Sequence, residues 1–418
     1  MMRYLINGDC AEKMRDLAPN SVDAIVTDPP YGLAFMGANW DYGVPGETFW
    51  REALRVAKPG AHLLAFGGTR TYHRLACAIE DAGWECRDSI MWHYGSGFPK
   101  SMDVSKAIDK MLGAERTKII GVKAGHENFI NRENHPLNGG WDRPWAHDAE
   151  AVKKYHSEFA PATPEAAAWN GWGTALKPAT EIIMVARKPL EGTVAANVLK
   201  YGTGAINIDG CRVAYESADD KASARPQGAA TAKPGALAGG VQNDAPRKSF
   251  APTEAQGRFP ANLIHDGSDE VLALFPESKG ALAPVYGKQG NQKCHTGDNG
   301  IYGRYEQRDT PMFPRNDSGS AARFFYCAKA SRKERDGSDH PTMKPVALMR
   351  YLVRLVTRKG GIVLDPFMGS GTTGVAAIQE GMNFVGIERN PHYYEIALRR
   401  VNDAKPLPPT TTQEELPL

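Results

Sequence analysis

Asp23-Ala24-Ile25-Val26-Thr27-Asp28-Pro29-Pro30-Tyr31 is the stretch that decides the fold of this chain. Mostly apolar residues that end in two prolines predict a buried parallel strand with an exposed carboxyl end. In open α/β sheets, ligands bind at that end of the strands. Proline has no backbone donor, so the carbonyl groups around Pro29 and Pro30 remain as acceptors. With the carboxylate of Asp28 and the ring of Tyr31, they form a pocket suited to a planar amine.

A second stretch near the other end of the sequence strengthens this interpretation, because a four-residue match alone more often marks an ordinary turn. Residues 361–373 read Gly-Ile-Val-Leu-Asp-Pro-Phe-Met-Gly-Ser-Gly-Thr-Thr, an apolar strand, an acid and a glycine-rich turn that opens a helix. Glycine permits close approach to a ligand, and the helix amino terminus supplies free N–H groups. Residues 383–388 then predict a strand that ends in Glu388, an acid suited to two ribose hydroxyls. The glycine turn alone would equally suit a dinucleotide.

Together these residues resemble the amino-type DNA methyltransferases, which methylate adenine N6 or cytosine N4. That family carries D/N/S-P-P-Y/F as its catalytic motif and F-x-G-x-G as its S-adenosylmethionine motif. The catalytic motif comes first here and the cofactor motif last, which resembles the permuted β group. Residues 97–101, 171–178 and 340–345 also resemble the middle region of phage and prophage site-specific members.

Composition limits the other classes of protein. At 418 residues the chain is long enough for two or three domains, and its net charge of +2 means that DNA binding needs local basic patches. The six cysteines have no C-x-x-C or zinc-finger spacing, which predicts reduced thiols in a cytosolic protein and no metal site. No apolar run approaches the length of a membrane span, and a strand begins at the amino terminus where a signal peptide would lie.

The predicted fold class is α/β, a Rossmann-like seven-stranded methyltransferase sheet with large irregular target-recognition insertions. The strands are predicted at residues 3–7, 23–28, 62–67, 86–94, 181–188, 361–365 and 383–388. Their order in the sheet is implied by the family resemblance. Residues 181–188 restore a strong strand pattern after a polar segment, so we predict that they pair antiparallel with residues 86–94.

The predicted domains follow this alternation of regular and irregular segments. They are the catalytic half of the core (1–95), an insertion that contacts DNA (96–180), a core strand (181–189), a target-recognition insertion (190–337), the cofactor-binding half of the core (338–402) and a flexible tail (403–418). Residues 216–256 are rich in Ala, Gly, Pro, Ser and Lys and hold almost no large apolar residue, which predicts a flexible loop.

The resemblance also implies the site residues. The catalytic set is Asp28, Pro29, Pro30 and Tyr31: the carboxylate and the Pro29 carbonyl accept the N–H bonds of the target amine, and the tyrosine stacks on a base flipped out of the duplex. The set for S-adenosyl-L-methionine is Asp9, Cys10, His340, Thr342, Lys344, Asp365, Pro366, Phe367, Gly369, Ser370, Gly371, Thr372 and Glu388. Local sequence alone makes Asp9 a helix N-cap as well.

Residues 323–335 mix aromatic side chains with cations. That composition suits backbone phosphates and exposed bases, although a solvated basic face is its commoner meaning. We predict phosphate contacts for Arg323, Lys329, Arg332 and Lys333.

Aspartate in the first position of the catalytic motif is more usual among the adenine enzymes and serine among the cytosine enzymes, so the resemblance favours adenine N6 in double-stranded DNA. The alternatives are methylation of cytosine N4, methylation of a protein glutamine and a catalytically idle DNA-binding protein. In the glutamine enzymes the cofactor motif precedes the catalytic one, and the intact motifs argue against an idle protein. We expect a cytoplasmic, prokaryotic or phage-encoded protein. A homodimer and a paired restriction nuclease stay open.

Overall fold

The structure is a computed structural model that describes residues 1–33, 43–99, 101–123, 154–217, 220–221, 257–279, 318–328 and 343–408. The chain divides into two compact units. The core unit comprises Met1–Gly95 and Thr180–Leu418, and the inserted unit comprises Ser96–Ala179.

The described strands and helices alternate along the core unit. In chain order the strands are β1 (Arg3–Asn7), β2 (Val22–Thr27), β3 (Ala57–Gly67), β4 (Glu85–His93), β5 (Ile119–Val122), β6 (Ser157–Phe159), β7 (Thr180–Arg187), β8 (Leu263–His265), β9 (Glu277–Lys279), β10 (Ser318–Ser320), β11 (Tyr326–Cys327), β12 (Ile362–Asp365) and β13 (Asn383–Glu388). The helices are α1 (Cys10–Arg15), α2 (Glu47–Val56), α3 (Tyr72–Asp81), α4 (Val104–Met111), α5 (Pro164–Ala168), α6 (Val194–Tyr201), α7 (Asp269–Leu272), α8 (Val346–Val356), α9 (Thr372–Gln379) and α10 (Pro391–Asp403).

One nine-stranded sheet runs through the core unit in the order β1-β13-β12-β2-β3-β7-β4-β8-β11. Its strands are parallel except β7, which is antiparallel to both of its neighbours. The α/β class and the antiparallel pairing of residues 181–188 with 86–94 are therefore confirmed.

All seven predicted strands lie in this sheet, but the predicted strand count is wrong. The additional strands β8 and β11 come from residues 190–337, all of which the sequence assigns to an insertion. They hold three and two residues, too few for any apolar periodicity to be visible in the sequence. The core sheet therefore includes two strands from the predicted target-recognition insertion.

Helices cover both faces of the sheet, as expected for nearly continuous apolar strands. Successive residues of a strand point to opposite faces, so Leu64 and Phe66 belong to one buried cluster whereas Leu63 and Ala65 belong to the other. Helices α8, α9 and α10 contribute Leu348, Ile378 and Val401 to the first cluster, and α1, α2 and α3 contribute Met14, Trp50 and Leu75 to the second. Each fully buried side chain of this kind contributes about 1.5–3 kcal/mol.

Two predicted flexible segments have packed residues at the ends that the structure describes. Asp220, inside the predicted loop 216–256, is buried and forms ion pairs with Arg258 and Arg323. A single acid in a polar stretch gives no local sign of such a distant partner. Most of that loop, residues 222–256, lies outside the described residues. In the predicted tail, α10 continues to Asp403, and the Leu407 amide donates to the Gln379 carbonyl at 3.0 Å.

The inserted unit is held together around a buried acid. Asp109 of α4 accepts hydrogen bonds from the Ala162 amide (3.0 Å) and from the amide and hydroxyl of Thr163, and it pairs with Arg116. Strands β5 and β6 form an antiparallel pair in the same unit. Among the residues that the structure describes, we find no helix with the length and apolar character needed to cross a bilayer.

Candidate active site

A cavity of about 440 Å³ opens where four parallel strands, β1, β13, β12 and β2, end side by side. Its volume falls within the range of small-molecule sites. The predicted site residues that line it are Asp9, Cys10, Asp28, Pro30, Lys344, Asp365, Pro366, Phe367, Gly369, Ser370, Thr372 and Glu388. The fold thus brings the Asp-Pro-Pro-Tyr stretch and the glycine turn, from opposite ends of the chain, to one cavity.

The glycine turn after β12 needs glycine for two separate reasons. Gly369 and Gly371 have φ values of +53° and +82°, in the left-handed region that other residues rarely adopt. At Gly371 a Cβ atom would also lie 3.0 Å from the Cβ of Ala397 and 3.1 Å from Val401 of α10. The turn is therefore fixed by backbone conformation and by the helix packed behind it.

Asp365 is a buried acid in the cavity wall. Its Oδ1 accepts hydrogen bonds from the Thr27 hydroxyl (2.7 Å) and the Phe367 amide (3.1 Å), and its Oδ2 accepts one from the Thr373 hydroxyl (2.5 Å). Burial raises the pKa of Asp365 to about 6, although all three hydrogen bonds favour the ionised form. The carboxylate is thus held by β2, by the glycine turn and by α9.

Two further acids and a thiol complete the cavity beside β1 and β13. Glu388 accepts hydrogen bonds from the Asn390 amide at 2.7 Å and the Gly369 amide at 2.8 Å, and burial raises its pKa. Asp9 caps α1, as predicted, by accepting from the Ala11 amide at 2.9 Å. Burial raises the pKa of Cys10 to about 12, so its thiol stays protonated and acts as a small apolar group.

Four side chains from distant parts of the chain form a compact hydrogen-bonded group, which we call the lysine cluster: Asp28, Tyr31, Glu181 and Lys344. The Lys344 ammonium lies 2.9 Å from Asp28 Oδ2, 2.9 Å from Glu181 Oε2 and 3.1 Å from the Tyr31 hydroxyl. The Tyr31 hydroxyl is in turn 2.8 Å from Asp28 Oδ1 and 3.0 Å from Glu181 Oε2.

The charges of the lysine cluster depend on one another. Burial raises the pKa of Asp28, Lys344 opposes that shift, and Glu181 adds to it. For Lys344, burial lowers the pKa, but the two carboxylates outweigh burial and hold it above its ordinary value. Burial and both carboxylates raise the pKa of Tyr31, so its hydroxyl stays neutral. The cluster therefore contains a permanent cation and a permanent hydroxyl between two acids.

Glu181 is the site residue that the sequence did not reveal. It follows the first residue of β7, and no motif marks it. A signal was nevertheless available, because β7 was predicted to be antiparallel, and an antiparallel strand begins at the edge where the parallel strands end. Lys344 is among the residues that the family resemblance assigns to the cofactor. It lines the cavity, but its ammonium pairs with the acids of the lysine cluster.

The predicted phosphate contact of Arg323 is wrong. Its guanidinium is buried, with Nε 3.3 Å from Asp220 and Nη1 2.6 Å from the Gly319 carbonyl, so it is not presented to a ligand surface. The other predicted DNA-contacting residues, Lys329, Arg332 and Lys333, and the predicted cofactor residues His340 and Thr342, lie outside the described residues. Within the ranges that are described, no group of His, Cys, Asp and Glu side chains could hold a metal ion.

The sequence of this chain is similar to those of known proteins. A family model described as DNA methylase matches residues 22–399. Type II methyltransferase M.BglI of Bacillus subtilis is 48% identical over 67 residues, 16% of this chain and 19% of that protein. DNA adenine methyltransferase YhdJ of Escherichia coli K12 is 48% identical over 66 residues, 16% of this chain and 22% of that protein. The chain thus covers about a fifth of the length of these curated relatives.

Among solved structures, the M1.HpyAVI–SAM complex is 16% identical. The alignment covers 96% of this chain and 100% of that chain, with a TM-score of 0.40.

Proposed function

The chain belongs to the DNA methylase family, and we propose that it transfers the methyl group of S-adenosyl-L-methionine to the N6 amine of adenine in double-stranded DNA. The family uses S-adenosylmethionine as its cofactor. The observation that carries the proposal is the single cavity lined by both the Asp28 stretch and the glycine turn. An enzyme that joins two substrates needs such a shared space.

The chemistry of the cavity wall fits this cofactor. Carboxylates of Glu388 and Asp9 offer acceptors for ribose hydroxyls, and the rings of Phe367 and Tyr393 offer apolar surface for a purine. Asp365 offers an anionic partner for an amino group. When bound, S-adenosylmethionine supplies an already activated methyl group on a sulfonium. The protein then needs to position the acceptor amine and stabilise charge.

Asp28 is the residue that we assign to the amine. A carboxylate offers about four lone-pair positions, and the lysine cluster uses two of them, through Tyr31 and Lys344. The remaining positions, with the Pro29 carbonyl, accept the two N–H bonds of the target. Those bonds draw the nitrogen towards tetrahedral geometry and free its lone pair. Asp28 also stabilises the positive charge that develops on the nitrogen.

The target base has to leave the duplex to reach Asp28, since the amine is otherwise held in a base pair. Tyr31 provides the face on which it stacks, a contact that contributes about 1–3 kcal/mol. Tyr31 is held at two points. Its hydroxyl lies in the lysine cluster, and its backbone carbonyl accepts a hydrogen bond from the Thr71 hydroxyl at 2.6 Å. A prepositioned ring avoids an ordering cost when the base arrives.

Nucleoside analysis tests the proposal directly. Purified protein is incubated with S-adenosylmethionine and unmethylated duplex DNA, the DNA is digested to nucleosides, and these are separated by mass spectrometry. We expect N6-methyladenine, and long-read sequencing of the same DNA gives the target site. N4-methylcytosine would replace the adenine assignment by the cytosine one. DNA binding with no methylated base of either kind would favour the idle DNA-binding protein.

A further inference from the structure

The lysine cluster has more hydrogen-bonding contacts than protons. Five contacts join its members: Lys344 to Asp28, Glu181 and Tyr31, and Tyr31 to each of the two acids. An ammonium has three protons and a phenol has one, so only four protons serve the five contacts. The three Lys344 protons account for its three contacts. The single Tyr31 proton therefore lies between Asp28 Oδ1 at 2.8 Å and Glu181 Oε2 at 3.0 Å.

The charge balance shows the same deficit. With both acids ionised and Lys344 charged, the cluster carries a net charge of −1, and its members are largely removed from solvent. One added proton would give the fifth contact its hydrogen bond and would make the cluster neutral. The cluster is therefore built to accept one proton, and Lys344 cannot be the acceptor because it is already fully protonated.

We propose that Glu181 is the final acceptor of the proton that the methylated amine releases, and that the Tyr31 hydroxyl carries it there from Asp28. The inference rests on the proposed function. As the target nitrogen forms its bond to the methyl carbon, the electrons of the carbon–sulfur bond stay on sulfur, and the nitrogen becomes positively charged. As this charge develops in the transition state, the nitrogen passes one proton to the Asp28 carboxylate, so removal of the proton lowers the barrier to methyl transfer. The Asp28 carboxyl donates to the Tyr31 oxygen while the Tyr31 proton moves to Glu181.

The position of Glu181 suits this role. The side chains of Asp28 and Glu181 are 22% and 17% exposed. A base stacked on Tyr31 would cover Asp28, and Glu181 then keeps a route to solvent for its proton. The groups that face Glu181 are Tyr31, Lys344, Asp28 and, from the end of β4, the Tyr94 hydroxyl. Tyr94 contacts Glu181 but not Asp28, so it lies outside the relay and provides a control.

The test uses single-turnover transfer of a labelled methyl group to duplex DNA with the full-length protein in excess. Glu181→Gln keeps the shape of the side chain but cannot take the proton, and Tyr31→Phe keeps the stacking ring but lacks the relay hydroxyl. We expect each variant to slow transfer by about 10²-fold, at the lower end of general acid–base effects. Because the two groups act in series, the double variant should be no slower than the slower single variant. Tyr94→Phe should stay near the wild-type rate.

Independent, multiplying losses in the double variant would mean that Glu181 and Tyr31 act separately, and the relay would be rejected. A wild-type rate for Glu181→Gln would reject it as well, and would leave the methyltransferase proposal intact. Absence of any transfer by the wild-type protein would instead remove the proposed function and the relay together. Calorimetric S-adenosylmethionine affinity and the melting temperature of each variant report whether a slow variant is merely misfolded.

Discussion

Asp28 has to remain anionic in a place that disfavours an anion. Burial and the neighbouring Glu181 both raise its pKa, and the Lys344 ammonium at 2.9 Å counteracts them. The sequence motif points to Asp28 as the proposed catalytic residue, but not to Lys344 as the cation that pairs with it.

Asp28→Asn tests that assignment without changing the shape of the side chain. We expect methyl transfer to fall by about 10³-fold, because the amide is a weaker acceptor and carries no charge to stabilise the developing cation. Cofactor affinity should be nearly unchanged, and Lys344 keeps Glu181 as a partner. The matched control is Asp23→Asn, on strand β2, which ends just before Asp28. Asp23 pairs with Lys58 at 2.7 Å, so that variant should lower the melting temperature but not the single-turnover rate of the folded protein. Equal loss of transfer in both variants would refute the catalytic assignment.

The pH dependence of transfer should report the environment of Asp28. The ionised carboxylate is the active form, and its raised pKa means that activity falls, as the pH is lowered, at a higher pH than for an ordinary aspartate. Glu181→Gln removes an anion that raises this pKa, so the acid limb of the pH–rate profile should move to lower pH, whatever the plateau rate. The other charged or titratable groups around Asp28 are Lys344, Tyr31 and Asp365. A shift to higher pH would contradict this electrostatic account.

Contacts between distant residues explain what the sequence missed at this level. Asp28, Glu388 and Asp365 belong to short motifs. The residues next to them in sequence indicate the end of a strand and a turn. Glu181 and Asp220 have ordinary neighbours, and their roles arise only from partners far along the chain. No local pattern encodes such a pairing, so these residues became visible only in the folded protein.

Strands and helices were predicted well where they were long and apolar. Strands β1 and β13 are observed with the predicted bounds, and α9 begins at the end of the glycine turn, where the sequence predicts a helix. Strand β13 and helix α9 are mostly buried, which leaves a strong apolar pattern in the sequence, whereas the edge strand β1 is only partly buried. Strands β8 and β11 are short edge additions whose pairing depends on the strand already in place.

Gly371 in the glycine turn and Gly381 after α9 allow backbone strain to be separated from crowding of the side chain. Gly371 and Gly381 both have positive φ values, +82° and +79°, but only Gly371 faces atoms that a Cβ would meet. Gly381→Ala should therefore cost only the backbone strain, about 1 kcal/mol of unfolding free energy. Gly371→Ala should lower the free energy of unfolding by a further amount of about 1–3 kcal/mol, because α10 has to move. Chemical denaturation measures both changes in the free energy of unfolding. Equal losses in the two variants would show that α10 moves at no cost in stability.

The inserted unit joins the core at two facing positions of one hairpin. His93 and Thr180 are opposite each other in the β4–β7 pair, so a short glycine linker in place of Ser96–Ala179 would close the hairpin directly. We expect the shortened protein to fold and to bind S-adenosylmethionine with unchanged affinity, because every residue that lines the cavity belongs to the core unit.

Methylation of DNA by the shortened protein should be lost, since we predict that the insertions recognise the target. The internal control is the affinity of the shortened protein for S-adenosylmethionine, measured by calorimetry, which reports whether the core unit is intact. Retention of the wild-type rate at the wild-type target site would show that the inserted unit is dispensable for recognition.

Arg323 and the basic residues that follow it should have separate effects. Arg323→Ala breaks a buried ion pair with Asp220 and should lower the free energy of unfolding by about 3 kcal/mol, with no change in the salt dependence of DNA binding. Joint replacement of Lys329, Arg332 and Lys333 by Ala should do the reverse. Each lost phosphate contact reduces the slope of log affinity against log salt by about 0.9. An unchanged slope in the triple variant would remove these residues from the DNA surface.

The first and last strands that the structure describes are neighbours, so the site does not depend on the order of its motifs along the chain. β1 pairs in parallel with β13, and Arg3 donates a 2.7 Å hydrogen bond to the Ala404 carbonyl. A chain joined across that point and reopened between Lys221 and Gly257 would carry its cofactor motif before its catalytic motif, yet the strands around the cavity would keep the same neighbours. The site depends on which strands are neighbours in the sheet. That spatial order would be the same wherever along the chain its two ends were placed.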